Sequence, residues 1–431
     1  MAGPACDARH LAASATLRCR RRFLSVKHAI APDPAPRDLI VQRPEGLYCP
    51  AGDFHIDPWK PVARAVITHA HGDHARRGHG AYLAQAQSAG VLRARLGADI
   101  SLQTLAYGER IDVNGVRLSL HPAGHVLGSA QVRIEHGGQV WVASGDYKLQ
   151  DDGTCAPFEP VRCDVFITES TFGLPIYRWQ TQAELMAEIN AWWEANAAAG
   201  RCSIVYAYAF GKAQRILHGV DASIGPIVVH GAVEPLNAVY RAAGVKLAPT
   251  LRVTDDGVDA ALLKTALVLA PPSAQGTPWL KRFGNYSDAF ASGWMQLRGA
   301  RRRRGVDRGF VMSDHADWPG LQRAIGATGA ERVFVTHGSV AVLVRWLREN
   351  GLDGQSFHTE YGDEDAAEAA TAPAIDTGIG AAPAGSELPA NAATDNLPTS
   401  ETSTDADTAA AVPGQAESVA IITPSGPAST P

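Results

Sequence analysis

Between about residues 38 and 361 the chain alternates short apolar runs with polar loops and helical stretches. The runs Ala65–Thr68, Val116–Leu120, Val140–Ala143, Val165–Thr168, Ser203–Tyr208, Ile227–His230, Ala266–Leu269, Phe310–Met312 and Val333–Thr336 have the length and bounding residues of β-strands. A different period marks 181–197, where Leu185, Ile189, Trp192 and Trp193 fall at i, i+4, i+7 and i+8. That spacing predicts a helix with both tryptophans on its core side, and Thr181 with Glu184 predicts a capping box at its start. Strands interleaved with helices indicate an α/β protein. No internal repeat is present.

The length, 431 residues, allows two or three domains, and 45 % apolar with 19 % charged residues is ordinary for a soluble globular chain. No run of about 18 uncharged apolar residues occurs, so a transmembrane helix and a membrane partner are not expected. Charge is unevenly spread. Residues 362–431 hold 11 of the 44 acidic side chains and no lysine or arginine, which leaves −11 in that tail and +6 in residues 1–361. The tail is rich in Ala, Pro, Thr and Ser, cannot bury enough surface to offset ordering, and is expected to be disordered. Residues 1–37, with Arg18, Arg20, Arg21 and Arg22, read as a basic, unstructured leader without a secretory apolar core. It is either a transit-type segment or an extended start. The cysteines (Cys6, Cys19, Cys49, Cys155, Cys163, Cys202) form no C-x-x-C pair. A disulfide framework and a zinc ribbon are therefore not indicated, and a reducing, cytoplasmic setting is expected.

Chemistry concentrates just after the strands. His69-Ala-His71-Gly-Asp73-His74 directly follows the run ending at Thr68. Four metal-binding side chains in six residues cannot share one strand face or one helical stripe, but a tight loop can aim them at two adjacent points. Imidazole with carboxylate suits zinc, and also manganese or iron. Asp146, Glu169, His315 and His337 each follow another apolar run, and His125 lies in the loop Ala123-Gly-His-Val-Leu-Gly128. Sites in open α/β sheets gather beyond the carboxyl ends of strands. Such a set supports metal-assisted hydrolysis, in which two divalent ions about 3.5–4 Å apart activate a water. Asp146 is the natural bridging carboxylate, and Glu169 with His315 could protonate the departing oxygen.

In that order, His69-x-His71-x-Asp73-His74, His125 and Asp146 resemble the metallo-β-lactamase fold. Glu169 in Glu-Ser-Thr-Phe-Gly, His315 in Ser-Asp-His-Ala-Asp and His337 in Thr-His-Gly resemble the further motifs of its β-CASP nuclease branch. The opening Gly46-Leu-Tyr-Cys-Pro-Ala-Gly-Asp-Phe-His-Ile-Asp57-Pro-Trp, with Gly211-Lys-Ala-Gln-Arg215, is similar to bacterial DNA ligase-associated exonucleases. The resemblance spans about 45–345. It implies an αββα sandwich over 38–175 and 310–361, interrupted by a β-CASP α/β cap at 176–309. It also implies one divalent ion on His69, His71 and His125, a second on Asp73, His74 and His337, and Asp146 between them. Glu169 and His315 would be the acid pair, with Asp73 also in a catalytic role, and Asp57 would orient ligands. Zinc is the expected metal, with manganese as an alternative. The cap is shorter than in the eukaryotic pre-mRNA cleavage enzymes of the same branch.

Two basic features bear on the substrate. Gly211, Lys212 and Arg215 begin a predicted helix and are expected to contact a phosphate. Arg298 and Arg301 to Arg304 form either a nucleic-acid contact or a solvated face, and Trp294 either stacks a base or packs in the core. No Walker A loop is present. The expectation is a two-metal nuclease, foremost a ligase-associated DNA exonuclease of repair working beside an ATP-dependent ligase and a helicase. A β-CASP ribonuclease of mRNA end processing is the first alternative and a small-molecule hydrolase of the lactamase or glyoxalase kind the second. A metal-free scaffold subunit should show gaps in the ligand set, and none is seen.

Overall fold

Apolar runs of this kind cannot leave their backbone groups unpaired once buried, and they assemble into sheets. In the computed structural model, which describes residues 38–361 apart from Asp256, the strands form three sheets. The expected leader (1–37) and acidic tail (362–431) lie outside the described residues.

The first sheet contains Val41–Arg43, Gly46–Cys49, Phe54–Ile56, Arg64–Val66, Ala81–Gln85 and Leu102–Leu105 in chain order. The second runs Asp353–Ser356, Arg332–Gly338, Val165–Ser170, Gln139–Ala143, Ala130–His136, Val116–Pro122 and Arg110–Val113. Its first four strands pair in parallel and the rest antiparallel. One core joins the facing sides of these two sheets: Leu47, Phe54, Ile56, Val66 and Leu83 meet Val116, Leu118, Ile134, Trp141, Ile167 and Phe334. The other side of the second sheet, with Val142, Phe166, Val333 and Val335, packs on Leu321 and Ile325 of helix Trp318–Thr328 and Leu343 and Leu347 of helix Val340–Glu349. This mixed α/β layering is compatible with the metallo-β-lactamase fold.

The third sheet draws its strands from Cys202 to Phe310, in the order Leu251–Arg252, Ile227–Val229, Leu267–Ala270, Cys202–Tyr206, Tyr286–Ala291 and Arg308–Phe310. All its pairings are parallel. Parallel strands buried on both faces read as continuous apolar runs, which is why Cys202–Tyr206, Ile227–Val229 and Leu267–Ala270 were visible from pattern, while Tyr286–Ala291 and Leu251–Arg252 were not expected. Helices Gln182–Ala198, Lys212–Gly219 and Glu234–Ala242 cover one face through Ile189, Trp193, Ile216 and Tyr240, in a core that continues to Ala65, Ile67 and Tyr82 of the first sheet.

The helix expected over 181–197 is Gln182–Ala198, and the Thr181 capping box is formed, with the Thr181 amide donating to Glu184 Oε2 at 2.8 Å. Several strand ends differ from expectation, and Ser203–Tyr208, for one, pairs only as Cys202–Tyr206. The run at Ala65–Thr68 pairs only as Arg64–Val66, because the Thr68 amide is taken by Asp57 instead of the ladder. The run at Phe310–Met312 pairs upstream as Arg308–Phe310, opposite Ala289–Ala291. Cys49, Cys155, Cys163 and Cys202 are free thiols. No helix among the described residues is long and apolar enough to cross a membrane.

Candidate metal centre

The histidine-rich loop is tied down by a single carboxylate. Asp57 Oδ1 accepts from the Thr68 amide (2.8 Å), and Oδ2 accepts from Thr68 Oγ1 (2.5 Å) and from His74 Nδ1 (2.7 Å). Asp57 holds φ at +43°, in the left-handed region that residues with a Cβ seldom occupy. This backbone turn brings its carboxylate under the loop. The next strand closes in at Gly145, φ +56°, where a Cβ would stand 2.6 Å from Thr68 Cβ. With Nδ1 of His74 on Asp57 and Nδ1 of His69 3.1 Å from Thr68 Oγ1, both rings turn Nε2 inward.

Asp146, just beyond strand Gln139–Ala143, sits among those nitrogens. Its Oδ2 lies 3.5 Å from His69 Nε2, 3.4 Å from His74 Nε2 and 3.9 Å from His125 Nε2, while Oδ1 lies 3.4 Å from His337 Nε2. His125 donates from Nδ1 to the Asp314 carbonyl (2.7 Å), which leaves Nε2 3.0 Å from His71 Nδ1. His71 in turn donates from Nε2 to the Phe210 carbonyl at 3.2 Å. Donor atoms of His69, His71 and His125 thus all lie within 4.8 Å of one another, as do those of His74, Asp146 and His337. Asp73 stands at the edge of the second group, its Oδ2 3.7 Å from His74 Nε2.

Charge is distributed unequally over the cluster. Burial, and then the neighbouring His74, holds His69 well below the usual imidazole range. For His74 burial works the same way, but the carboxylates of Asp146, Asp73 and Asp57 outweigh it and hold the ring well above that range. Burial would raise Asp146, yet His74, His69 and His315 keep it well below the ordinary carboxylate range. His69 Nε2, His74 Nε2, Asp73 Oδ1 and Asp146 Oδ1 are buried with no hydrogen-bond partner among the described residues. Such orphaned atoms are costly unless something binds them. Such atoms, in an imidazole and carboxylate set beside the grouped donors of His71, His125 and His337, fit divalent cations.

The expected acid pair is in contact. Glu169, on strand Val165–Ser170, faces His315 Nδ1 with Oε1 at 2.9 Å and Oε2 at 2.8 Å, and both side chains are buried. The amides of Tyr147 (2.8 Å) and Thr171 (3.4 Å) also donate to Glu169. A nitrogen of His315 lies within 4.8 Å of donor atoms of His125 and Asp146.

Gly211, Lys212 and Arg215 are placed differently from expectation. Lys212 and Arg215 are each 2 % exposed and have their charges engaged by Asp314 and Asp152. Gly211 packs onto the Asp314 carboxylate. The first turn of the helix points into the interior. Arg298 and Arg302 are exposed, and Trp294 is half-buried with its ring centroid 4.9 Å from Phe172. Residues absent from the expected set also shape the centre. The Tyr361 ring stacks on His74 at 4.2 Å and meets His337 edge-on at 5.5 Å. Thr171 Oγ1 is 3.2 Å from His337 Nε2. Carbonyls at Phe210 and Asp314 could not be read from the sequence, because every residue carries one; Tyr361 had no motif around it.

No family model matches the chain. Over 124 residues, 28 % of the chain, it is 31 % identical to cleavage and polyadenylation specificity factor subunit 3 of Dictyostelium discoideum and 33 % identical to the endoribonuclease YSH1 of Yarrowia lipolytica. The chain belongs to the metallo-β-lactamase superfamily, in its β-CASP nuclease branch. Over a longer stretch, 316 residues and 73 % of the chain, it is 31 % identical to a probable DNA ligase of Opitutus terrae. It spans 30 % of that ligase and 16 % and 14 % of the two cleavage proteins.

Proposed function

We propose that the protein is a two-metal nuclease, acting as a DNA exonuclease in repair together with an ATP-dependent DNA ligase and a helicase. One observation carries the hydrolytic reading: the Asp146 carboxylate lies 3.4–3.9 Å from His69, His74, His125 and His337, between two histidine groups. In this reading His69, His71 and His125 hold one ion, and Asp73, His74 and His337 the other, with Asp146 shared. Zinc is the first choice and manganese the second. When bound, the two ions supply an activated water at neutral pH and neutralise charge on the phosphate. The chain's residues do the rest. Asp57 and the Asp314 carbonyl fix which nitrogen His74 and His125 present. Glu169 accepts the Nδ1 proton of His315, so the proton for the departing oxygen comes from Nε2. Residues 176–309, which contain most of the third sheet, act as the inserted β-CASP cap, and its exposed Arg298 and Arg302 are available to the nucleic-acid backbone. The scattered cysteines suit a cytoplasmic enzyme.

The DNA preference and ligase partnership rest on the likeness to the Opitutus terrae protein, over 73 % of this chain. A second reading, cleavage of RNA at internal sites, is favoured by the likeness to the endoribonuclease YSH1. Incubation with end-labelled single-stranded DNA and matching RNA, with zinc or manganese, separates them. Stepwise shortening of DNA alone is expected. Internal cuts in RNA support the second reading, and inertness towards both with metal loaded refutes the nuclease proposal.

A further inference from the structure

Lys148, Asp152, Lys212, Arg215 and Asp314 meet in the interior, each side chain no more than 2 % exposed. Lys148 and Asp152 pair with each other in the loop that follows Asp146. Lys212 and Arg215 come from the first turn of helix Lys212–Gly219, and Asp314 immediately precedes His315. Lys212 Nζ lies 3.6 Å from Asp314 Oδ2, and Arg215 Nη1 3.3 Å from Asp314 Oδ1. The guanidinium reaches further. It donates from Nη1 to the Ser313 carbonyl (2.6 Å), from Nε to Gln182 Oε1 (2.7 Å) and from Nη2 to Gln150 Oε1 (3.0 Å), with Asp152 Oδ2 3.4 Å from Nε.

These contacts converge on Ser313-Asp314-His315. Asp314 accepts from His125 Nδ1 through its backbone carbonyl, and its neighbour His315 donates from Nδ1 to the Glu169 carboxylate. Gly211 lets the helix start close onto this loop: at φ +95°, a Cβ there would stand 3.1 Å from Asp314 Oδ2 and 2.7 Å from Val126 Cγ1. A buried ion cluster adds little to stability, because desolvation consumes most of the Coulombic gain. What a planar, five-donor guanidinium adds is direction.

We propose that Arg215, assisted by Lys212, is a positioning residue that holds Ser313–His315 so that one loop orients both the ligand His125 and the proton donor His315. The proposal rests on the two-metal reading above and deepens it: the third-sheet segment helps to build the centre as well as cover it. Outer partners of metal ligands that are removed typically cost 10–100-fold in metal affinity or activity.

The test is Arg215→Lys, which keeps the buried charge but cannot span all of these acceptors. Two substrates are used, a labelled oligonucleotide and bis(p-nitrophenyl) phosphate, and zinc affinity is measured separately by competition with a chromophoric chelator. Expected are a fall in kcat of about 10–100-fold on both substrates with KM within twofold, and zinc affinity weakened about tenfold or more at one site. A raised KM with unchanged kcat overturns the proposal in favour of a phosphate contact. Wild-type kcat and zinc affinity together overturn it in favour of a core filler. If the parent protein cleaves neither substrate, the nuclease reading fails and the zinc measurement alone decides the positioning role. If Arg215→Lys does not fold, the pair Gln150→Ala/Gln182→Ala, which loosens the guanidinium without stranding a charge, is held to the same criteria, with at least a threefold effect expected.

Discussion

Asp57→Asn tests whether one carboxylate dictates how His74 binds metal. The backbone should tolerate it, since asparagine is among the side chains most often found at positive φ, and residue 57 holds +43°. The amide oxygen can still accept from the Thr68 amide, now 2.8 Å from Oδ1. The amide nitrogen then replaces Oδ2, which accepts from His74 Nδ1 at 2.7 Å. Two donors face each other. Either that contact is lost, or the imidazole moves its proton to Nε2, the nitrogen 3.4 Å from Asp146, and can no longer ligate. One charge-assisted hydrogen bond is worth about 1.5–3 kcal/mol. A 10–100-fold loss of zinc affinity corresponds to about 1.4–2.8 kcal/mol, so the two ranges agree. Chelator competition at neutral pH measures it, with circular dichroism confirming the fold. Zinc affinity within twofold of the parent, in a folded variant, refutes this reasoning.

His315→Ala should slow phosphodiester cleavage about 10²–10⁴-fold while leaving metal content near the parent value, as expected for a proton donor; loss of metal measured by atomic emission would make His315 a ligand. His79 supplies a pH prediction. Burial, then the nearby His55 and Arg76, lowers its pKa from 6.5 to about 4. Between those values the unfolded chain takes up a proton that the folded chain refuses, so stability falls as pH drops from 6.5 towards 4. Urea unfolding of His79→Gln across this window should show a shallower slope than the parent, and an equal slope contradicts the assignment.

The sequence made the central parallel strands of the second and third sheets legible, such as Val165–Ser170 and Leu267–Ala270, because they lie buried on both faces and form apolar blocks. Short or half-exposed strands escaped. Phe54–Ile56 is three residues long, and Ala130–His136 alternates Val132 and Ile134 with Arg133 and Glu135 in the period of a one-sided strand. In the centre, His69, His71, His74, His125, Asp146 and His337 were legible because imidazole and carboxylate are rare in such density. The buried partners of Arg215 were not legible, for a physical reason. A cation at a helix start looks like a phosphate site until its partners are known, and Asp152 and Asp314 lie far away along the chain.

The most direct test is a crystal of metal-loaded protein with anomalous scattering recorded at the zinc edge. Two peaks about 3.5–4 Å apart are predicted, with the Asp146 carboxylate between them, His69, His71 and His125 around one and Asp73, His74 and His337 around the other. A single peak, or two peaks that do not share Asp146, would contradict the two-metal assignment.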